Sequence, residues 1–100
     1  MTRLEKWTHD SFQKEIVKVA KLYHWKVQYF WRNFHSPKGW LDLVLTKPEN
    51  GRLIFAEIKI PPDDLKPEQQ EWIDIWKQYK SVEVYVWRPD DWDDIIKILE

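Results

Sequence analysis

The sequence lacks cysteine and any long apolar run, and both absences limit what the chain can be. With no cysteine among 100 residues, a disulfide framework and a thiolate zinc site are excluded, and the composition suits a reducing compartment. No apolar stretch approaches the roughly 20 residues of a membrane span, and no signal peptide is recognisable at the start. We therefore expect a cytoplasmic protein without a membrane-spanning segment.

The organisation of the chain favours one globular domain over residues 1–100. There is no linker rich in glycine, serine or proline, no internal repeat and no low-complexity segment. A chain of this length supports a single core of modest size. The sequence therefore predicts one compact unit.

Charge is distributed unevenly along the chain, although the net charge is only −1. Residues 1–40 contain eight Lys or Arg against three Asp or Glu, whereas residues 41–100 contain eight against fourteen. A basic first part and an acidic second part are consistent with a local surface that binds phosphate groups. The residues expected on this phosphate-binding surface, where they would contact a nucleic-acid backbone, are Lys14 and Lys18 of the first predicted helix and Arg32, His35, Ser36 and Lys38 of a following loop.

Hydrophobic spacing predicts an α/β fold in which helices flank a small mixed β-sheet, in the order αβββαβα. Phe12, Ile16 and Val19 recur at helical spacing, and β-forming runs on both sides of a turn at 47–51 indicate a hairpin. The helix after this hairpin makes the last strand parallel to the third by a crossover connection. The predicted elements are a helix at 8–23, strands at 25–34, 40–46 and 53–60, a helix at 67–79, a strand at 82–87 and a short terminal helix to about Leu99.

Two carboxylates and an amine stand near the ends of the two hairpin strands. Asp42 lies near the start of the first of these strands, and Glu57 and Lys59 lie near the end of the second. Side chains alternate between the faces of a strand, so Glu57 and Lys59 share one face about 7 Å apart. We expect the three polar groups to face one site.

This set of groups suits the hydrolysis of a phosphodiester bond. Such a reaction calls for a divalent cation that polarises the phosphate and lowers the pKa of an attacking water. Mg²⁺ prefers oxygen ligands, which Asp42, Glu57 and the backbone carbonyl of Ile58 would supply. Lys59 would orient or help deprotonate the water and offset the charge that grows on the phosphate.

The same residues also allow an ordinary interpretation. A Glu-x-Lys pair on a strand is commonly a solvated ion pair with no role in catalysis. Here Asp42 lies among leucines and Glu57 interrupts an apolar strand, so both carboxylates should be partly buried. Because buried charges cost free energy unless they are paired or bound to metal, this context favours a functional site.

The order of these motifs resembles the VRR-NUC domain, a branch of the PD-(D/E)XK nuclease superfamily found in phages and in DNA-repair enzymes. The resemblance extends from about Phe12 to Leu99 and rests on ordered blocks. These blocks are Gly39-x-x-Asp42-Leu43, then Glu57-x-Lys59, then Leu65-Lys66-Pro67-Glu68-Gln69 at the start of a tryptophan-containing helix, and finally Val82-Glu83-Val84-Tyr85-Val86-Trp87-Arg88-Pro89.

The resemblance implies a restriction-endonuclease-like core with a metal-dependent nuclease site. Asp42 and Glu57 would bind Mg²⁺ or Mn²⁺, and Lys59 would be the catalytic lysine. Gln69, in the first turn of the second helix, would orient a water or a phosphate. These are the catalytic residues that we expect.

Two positions depart from the family pattern. Leu41 replaces the proline that usually precedes the aspartate, and this proline is not a metal ligand. The family also has a glutamate near the start of its first helix. His9 stands at the matching position, and Glu15 follows about two turns further on, so both are candidates for a further metal ligand.

The resulting hypothesis is a DNA endonuclease that acts on structured or branched DNA, in the manner of a Holliday junction resolvase. The alternatives are a flap or nicking nuclease, a catalytically idle DNA-binding module, and a toxin or restriction subunit. Paired nicks require two sites, so we expect a homodimer that uses surplus aromatic residues and the apolar residues of the terminal helix. Such a protein would act in the cytoplasm of a bacterium or of a phage-infected host cell.

Overall fold

The computed structural model describes residues 7–29 and 41–100, which form the elements in the predicted order. The second part of the predicted first strand and the loop with Arg32, His35, Ser36 and Lys38 lie outside the described residues. The elements are α1 (His9–Leu22), β1 (Lys26–Tyr29), β2 (Leu43–Lys47), β3 (Arg52–Ile58), α2 (Pro67–Trp76), β4 (Glu83–Trp87), a 3-10 turn (Pro89–Asp91) and α3 (Trp92–Leu99).

Helix α1 begins at a side-chain cap and ends at a left-handed residue. The Thr8 hydroxyl accepts a hydrogen bond from the Ser11 N–H at 3.0 Å, and the Ser11 hydroxyl accepts one from the Thr8 N–H at 2.9 Å. His24 has φ 73°, and the Trp25 N–H donates to the Ala20 carbonyl at 3.0 Å. The helix therefore stops just before β1 starts.

The four strands form one mixed sheet in the order β1-β2-β3-β4. The first three strands pair antiparallel, whereas β3 and β4 pair parallel, as the crossover through α2 predicts. In the β2–β3 turn the Gly51 N–H donates to the Lys47 carbonyl at 3.0 Å, and Gly51 has φ 69°. Glycine adopts this left-handed conformation without steric cost, so the turn helps to fix the register of the hairpin.

Helices cover both faces of the sheet. On one face, buried side chains from α1, the strands and α3 form the main core. On the other face, Phe55 of β3 meets Trp76 of α2 edge to face, with ring centroids 4.6 Å apart. Because side chains alternate along β3, Ile54 and Ile58 point into the main core while Glu57 faces α2.

The terminal helix α3 packs inward against the main core. Ile95 and Leu99 are fully buried, and Trp92 and Ile98 are partly buried against the same cluster. The Leu99 carbonyl accepts a hydrogen bond from the indole N–H of Trp25 at 2.8 Å. The prediction that the apolar residues of this helix supply a dimer interface is therefore wrong for Ile95 and Leu99, because these two complete the core of their own protomer.

The helices are short in the part of the chain that the structure describes. Helix α2 ends at Trp76, earlier than the predicted end near Tyr79. After α2 the hydrogen bonds join residues three apart, as in a 3-10 turn: the Tyr79 N–H donates to the Trp76 carbonyl at 3.1 Å. Within residues 7–29 and 41–100, no helix has the length and apolar character needed to cross a membrane.

Candidate active site

The β2–β3 register sets Asp42 opposite Glu57. Leu43 pairs with Ala56, and one further step of this antiparallel register brings Asp42 beside Glu57. Leu43 and Ala56 are fully buried in the main core, so alternation along β3 turns Glu57 toward the α2 face. Asp42 stands just before β2 and is close enough to Glu57 to raise the pKa of that carboxyl. The two predicted metal ligands therefore lie side by side at the end of the hairpin away from its turn.

Asp42 is held through one of its two carboxylate oxygens. Its Oδ2 accepts a hydrogen bond from the Ile58 N–H at 2.8 Å and lies 3.1 Å from Nε2 of His9. The Asp42 side chain is 20% exposed, which agrees with the partial burial expected from the sequence. The hydrogen bond to Asp42 is the largest cause that raises the pKa of His9 above its ordinary value, against the opposing effect of burial.

The contact with Asp42 distinguishes the two candidates on the first helix. His9 lies at the N-terminal end of α1, next to the start of β2. Glu15 lies further along α1, where it lines a surface cavity with Lys18 and Leu22. No contact within the described residues joins Glu15 to either carboxylate. The fold thus brings His9, and not Glu15, to the carboxylate pair.

Glu57 is a buried charged residue, with only 2% of its surface exposed. Its Oε2 accepts a hydrogen bond from Nε2 of Gln69 at 3.0 Å and lies 3.4 Å from Nζ of Lys59. Its Oε1 is buried and has no hydrogen-bond partner among the described residues. A buried carboxylate oxygen without a partner costs free energy, so a cation at this place would relieve an existing cost.

The pKa of Glu57 reflects its burial beside a second carboxylate. It is raised to about 8, first by burial and second by the negative charge of Asp42, while Lys59 acts in the opposite direction. Glu57 therefore binds a proton more tightly than an exposed glutamate does. A bound divalent cation would supply the positive charge that this proton otherwise supplies.

The donor atoms fit a hard divalent cation. No three His, Cys, Asp or Glu side chains in residues 7–29 and 41–100 lie close enough to hold a metal ion by themselves. Mg²⁺ commonly uses one or two carboxylates, with water and substrate phosphate oxygens as its other ligands. The N–H and the C=O of one strand residue point to the same side of the strand. Because the Ile58 N–H donates to Asp42, the Ile58 carbonyl also points to the side of Asp42. Asp42, Glu57 and the Ile58 carbonyl are therefore available to hold an ion.

Gln69 connects helix α2 to Glu57, a contact that the sequence does not predict. Its side-chain oxygen accepts a hydrogen bond from the Lys66 N–H at 2.9 Å, at the start of α2, while its Nε2 donates to Glu57. The spacing of three residues between Lys66 and Gln69 indicates the hydrogen bond at the start of α2, but it does not indicate the bond to Glu57. Its expected action on a water or a phosphate stays a prediction.

The two lysines predicted to bind DNA lie on the surface of α1. Lys14 and Lys18 are exposed and lie one turn apart, on the side of the helix away from Phe12 and Ile16. Both amines are accessible to a phosphate backbone, and their role in DNA binding stays a prediction. The loop contacts predicted at 32–38 lie outside the described residues.

Residues 4–89 match the family model described as the VRR-NUC domain, and this segment includes both residues of the carboxylate pair. The chain belongs to the VRR-NUC family. No curated protein and no solved structure matches the chain.

Membership of the VRR-NUC family makes this protein a nuclease of the PD-(D/E)XK type, a hydrolase with DNA as its partner. The mixed four-stranded sheet with helices on both faces fits such a nuclease core, as predicted. Nucleases of this superfamily usually use divalent metal ions. The carboxylate pair thus lies in a fold whose members usually bind divalent metal ions, and such ions prefer oxygen ligands.

The raised pKa of Glu57 predicts that Glu57→Gln stabilises the metal-free protein in alkaline solution. The pKa rises from an ordinary value of 4.5 to about 8, so the stability gained from the Glu57 proton is complete below about pH 4.5 and is lost as the pH rises through about 8. The amide stays neutral throughout. At about pH 9 we expect a gain of about 1 kcal/mol or more, roughly 4–8 °C in melting temperature.

Thermal unfolding in EDTA, in acid and in alkaline buffer, measures this effect. Glu71→Gln is the matched control, because Glu71 is exposed on α2. Near pH 4 the Glu57→Gln variant should melt close to the wild type. Equal shifts for Glu57→Gln and Glu71→Gln in alkaline buffer would contradict the prediction.

Proposed function

We propose that this protein is an endonuclease that cleaves DNA with a Mg²⁺ or Mn²⁺ ion held by Asp42 and Glu57. The observation that carries the proposal is the buried contact between the Glu57 carboxyl and Asp42, in which no described residue donates a hydrogen bond to Oε1 of Glu57. Two carboxylates placed side by side in a largely buried position are poorly suited to a structural role, because apolar side chains would cost less free energy there. The match to the VRR-NUC family, which consists of nucleases, supports a role of this pair in DNA cleavage.

Each group in the site has a separate task in this proposal. Asp42, Glu57 and the Ile58 carbonyl hold the ion, which when bound polarises the phosphate and lowers the pKa of the attacking water. Lys59, with its amine 3.4 Å from Oε2 of Glu57, orients or deprotonates that water. Gln69 keeps Glu57 in position by donating to the same oxygen.

His9 supports Asp42 from the more exposed side of the site. Its side chain is 44% exposed and lies against Oδ2 of Asp42, the oxygen that also accepts the Ile58 N–H. When protonated, His9 pairs with the Asp42 carboxylate. When neutral, it offers a nitrogen ligand, and imidazole suits transition metals better than Mg²⁺. Mn²⁺ is therefore the ion that gains most from a histidine at this position.

We also propose structured or branched DNA as the substrate and a homodimer as the active form. Two sites related by a two-fold axis would make paired nicks across a four-way junction. Lys14 and Lys18 offer exposed positive charge to the DNA backbone. Leu22 is 71% exposed at the end of α1 and Tyr79 is 53% exposed after α2, so exposed apolar side chains exist outside α3.

A cleavage assay on four DNA geometries tests the activity. The protein is incubated with single-stranded, duplex, flap and four-way-junction DNA, each with Mg²⁺, Mn²⁺ or EDTA. We expect cleavage with either metal, fastest on the junction, and none in EDTA. Cleavage that persists in EDTA would contradict the metal-dependent mechanism. Equal rates on flap and junction DNA would favour the flap or nicking alternative, and DNA binding without cleavage would favour an idle module.

The mass of the protein in solution tests its assembly. Light scattering at micromolar concentration should give twice the protomer mass of 12.4 kDa, with or without junction DNA. A mass of one protomer under both conditions would favour single nicks by a monomer.

A further inference from the structure

Arg88 follows β4 and lies beside Lys59. In the parallel register of β3 and β4, Ile58 pairs with Trp87, and both side chains are buried in the main core. One further step of this register sets Arg88 next to Lys59, and alternation turns both side chains toward the α2 face. The Lys59 N–H donates to the Trp87 carbonyl at 3.0 Å, so the two strands stay paired up to this point.

The backbone of Arg88 is fixed, whereas most of its side-chain donors are available. The Arg88 N–H donates to Oδ2 of Asp91 at 2.9 Å, and the Arg88 carbonyl accepts from the Asp91 N–H at 2.8 Å. The guanidinium donates one hydrogen bond to Oδ1 of Asp64 at 3.0 Å and makes no other among the described residues. Because arginine carries five N–H donors in a planar fork, most of the fork is left for a ligand.

Asp64 is a weak competitor for this arginine. The Asp64 side chain is 77% exposed and the Arg88 side chain 38% exposed. Ion pairs between groups that are this accessible to water contribute little to stability. The Leu65 N–H also donates to the same Asp64 oxygen, at 2.8 Å. Asp64 therefore binds one donor of Arg88 without occupying its whole fork.

We propose that Arg88 binds a backbone phosphate of the DNA strand that enters the site. The inference rests on the proposed function, because it requires DNA at the carboxylate pair. The Lys59 side chain is only 11% exposed, so Arg88 is the more accessible of these two neighbouring cations. A guanidinium binds phosphate through two parallel hydrogen bonds, which orient the strand as well as attract it. Arg88 thus positions the DNA, while Lys59 acts at the reacting atoms.

Binding of a short DNA duplex in EDTA tests this role apart from cleavage. Arg88→Met removes the fork and leaves both backbone hydrogen bonds in place. We expect it to weaken binding about tenfold and to reduce the slope of log K against log salt by about 1. Arg88→Lys should keep the slope but recover only part of the affinity, because an ammonium cannot bind phosphate through a fork.

Two further variants separate phosphate binding from general effects. Lys97→Met removes one positive charge from the exposed side of α3, at a position that is not assigned to DNA binding, and should leave the salt slope unchanged. Asp64→Asn should bind DNA at least as tightly as the wild type, because it removes a competing carboxylate. If Arg88 only anchors the loop at 61–65, then Asp64→Asn should instead weaken binding as much as Arg88→Met does.

The inference is overturned if Arg88→Met and Arg88→Lys keep the wild-type affinity and salt slope, or if Asp64→Asn loses as much affinity as Arg88→Met. These results would leave the proposed function intact, because the wild type would still bind and cleave DNA. A wild type that neither binds nor cleaves DNA would overturn the proposed function, and the role of Arg88 with it.

Discussion

Asp42→Asn is expected to lower the rate of DNA cleavage by about 10³-fold or more, because a bound divalent cation supplies several kcal/mol to the transition state. Asparagine has nearly the same shape as aspartate and keeps an oxygen that can accept the Ile58 N–H. It lacks the charge that would hold the ion beside Glu57. The initial rate is measured on the substrate that the wild type cleaves best.

Asp94→Asn is the matched control for this variant. Asp94 is exposed on α3, which packs on the opposite face of the sheet from Asp42. The control should cleave at the wild-type rate, and both variants should melt near the wild-type temperature. Near-normal cleavage by Asp42→Asn with an unchanged melting curve would mean that the active site lies elsewhere.

Lys59→Met is expected to reduce turnover by roughly 10²-fold or more while metal binding persists. Methionine keeps an apolar stem for a side chain that is only 11% exposed, and it removes the amine 3.4 Å from Oε2 of Glu57. In the proposed mechanism this amine acts on the water and on the charge that develops at the phosphate. Its loss should therefore affect the rate more than the affinity for the ion.

Cleavage at saturating metal and calorimetry of Mn²⁺ binding check the two parts of this prediction separately. Lys97→Met, which removes an exposed amine on α3, should change neither quantity. If the Lys59→Met variant loses its metal affinity and yet turns over normally at saturating metal, Lys59 has a structural role.

The element order was predictable because each element carries a signal in its own neighbourhood of the sequence. Phe12 and Ile16 recur at helical spacing, Gly51 closes a hairpin turn and Pro67 begins a helix. The common face of two site residues also followed from the alternation of side chains along one strand. Oε2 of Glu57 and Nζ of Lys59 lie 3.4 Å apart, which agrees with the expectation that the two side chains share a face.

Contacts between distant segments carried no such local signal. Helical spacing allows both His9 and Glu15 to border the core, and the choice depends on where the start of α1 meets β2. The bond from Gln69 to Glu57 depends on how α2 crosses the sheet. The position of Arg88 depends on the parallel register of β3 and β4, which no local pattern specifies.

The terminal helix shows why the predicted dimer surface was wrong. An amphipathic helix presents an apolar stripe, and the sequence does not say whether that stripe packs on its own core or on another protomer. Trp92, Ile95 and Leu99 pack on the core of their own protomer. A homodimer, if it forms as proposed, must therefore use side chains other than Ile95 and Leu99.

The metal centre is tested most directly by Mn²⁺ binding measured without DNA, because this measurement does not depend on substrate choice. The electron paramagnetic resonance signal of free Mn²⁺ falls as the ion binds, so a titration gives the affinity of each variant. The wild type and Asp94→Asn are predicted to bind Mn²⁺, and Asp42→Asn and Glu57→Gln are predicted to lose most of this binding. Equal Mn²⁺ binding by the wild type and by both carboxylate variants would contradict a metal centre at Asp42 and Glu57.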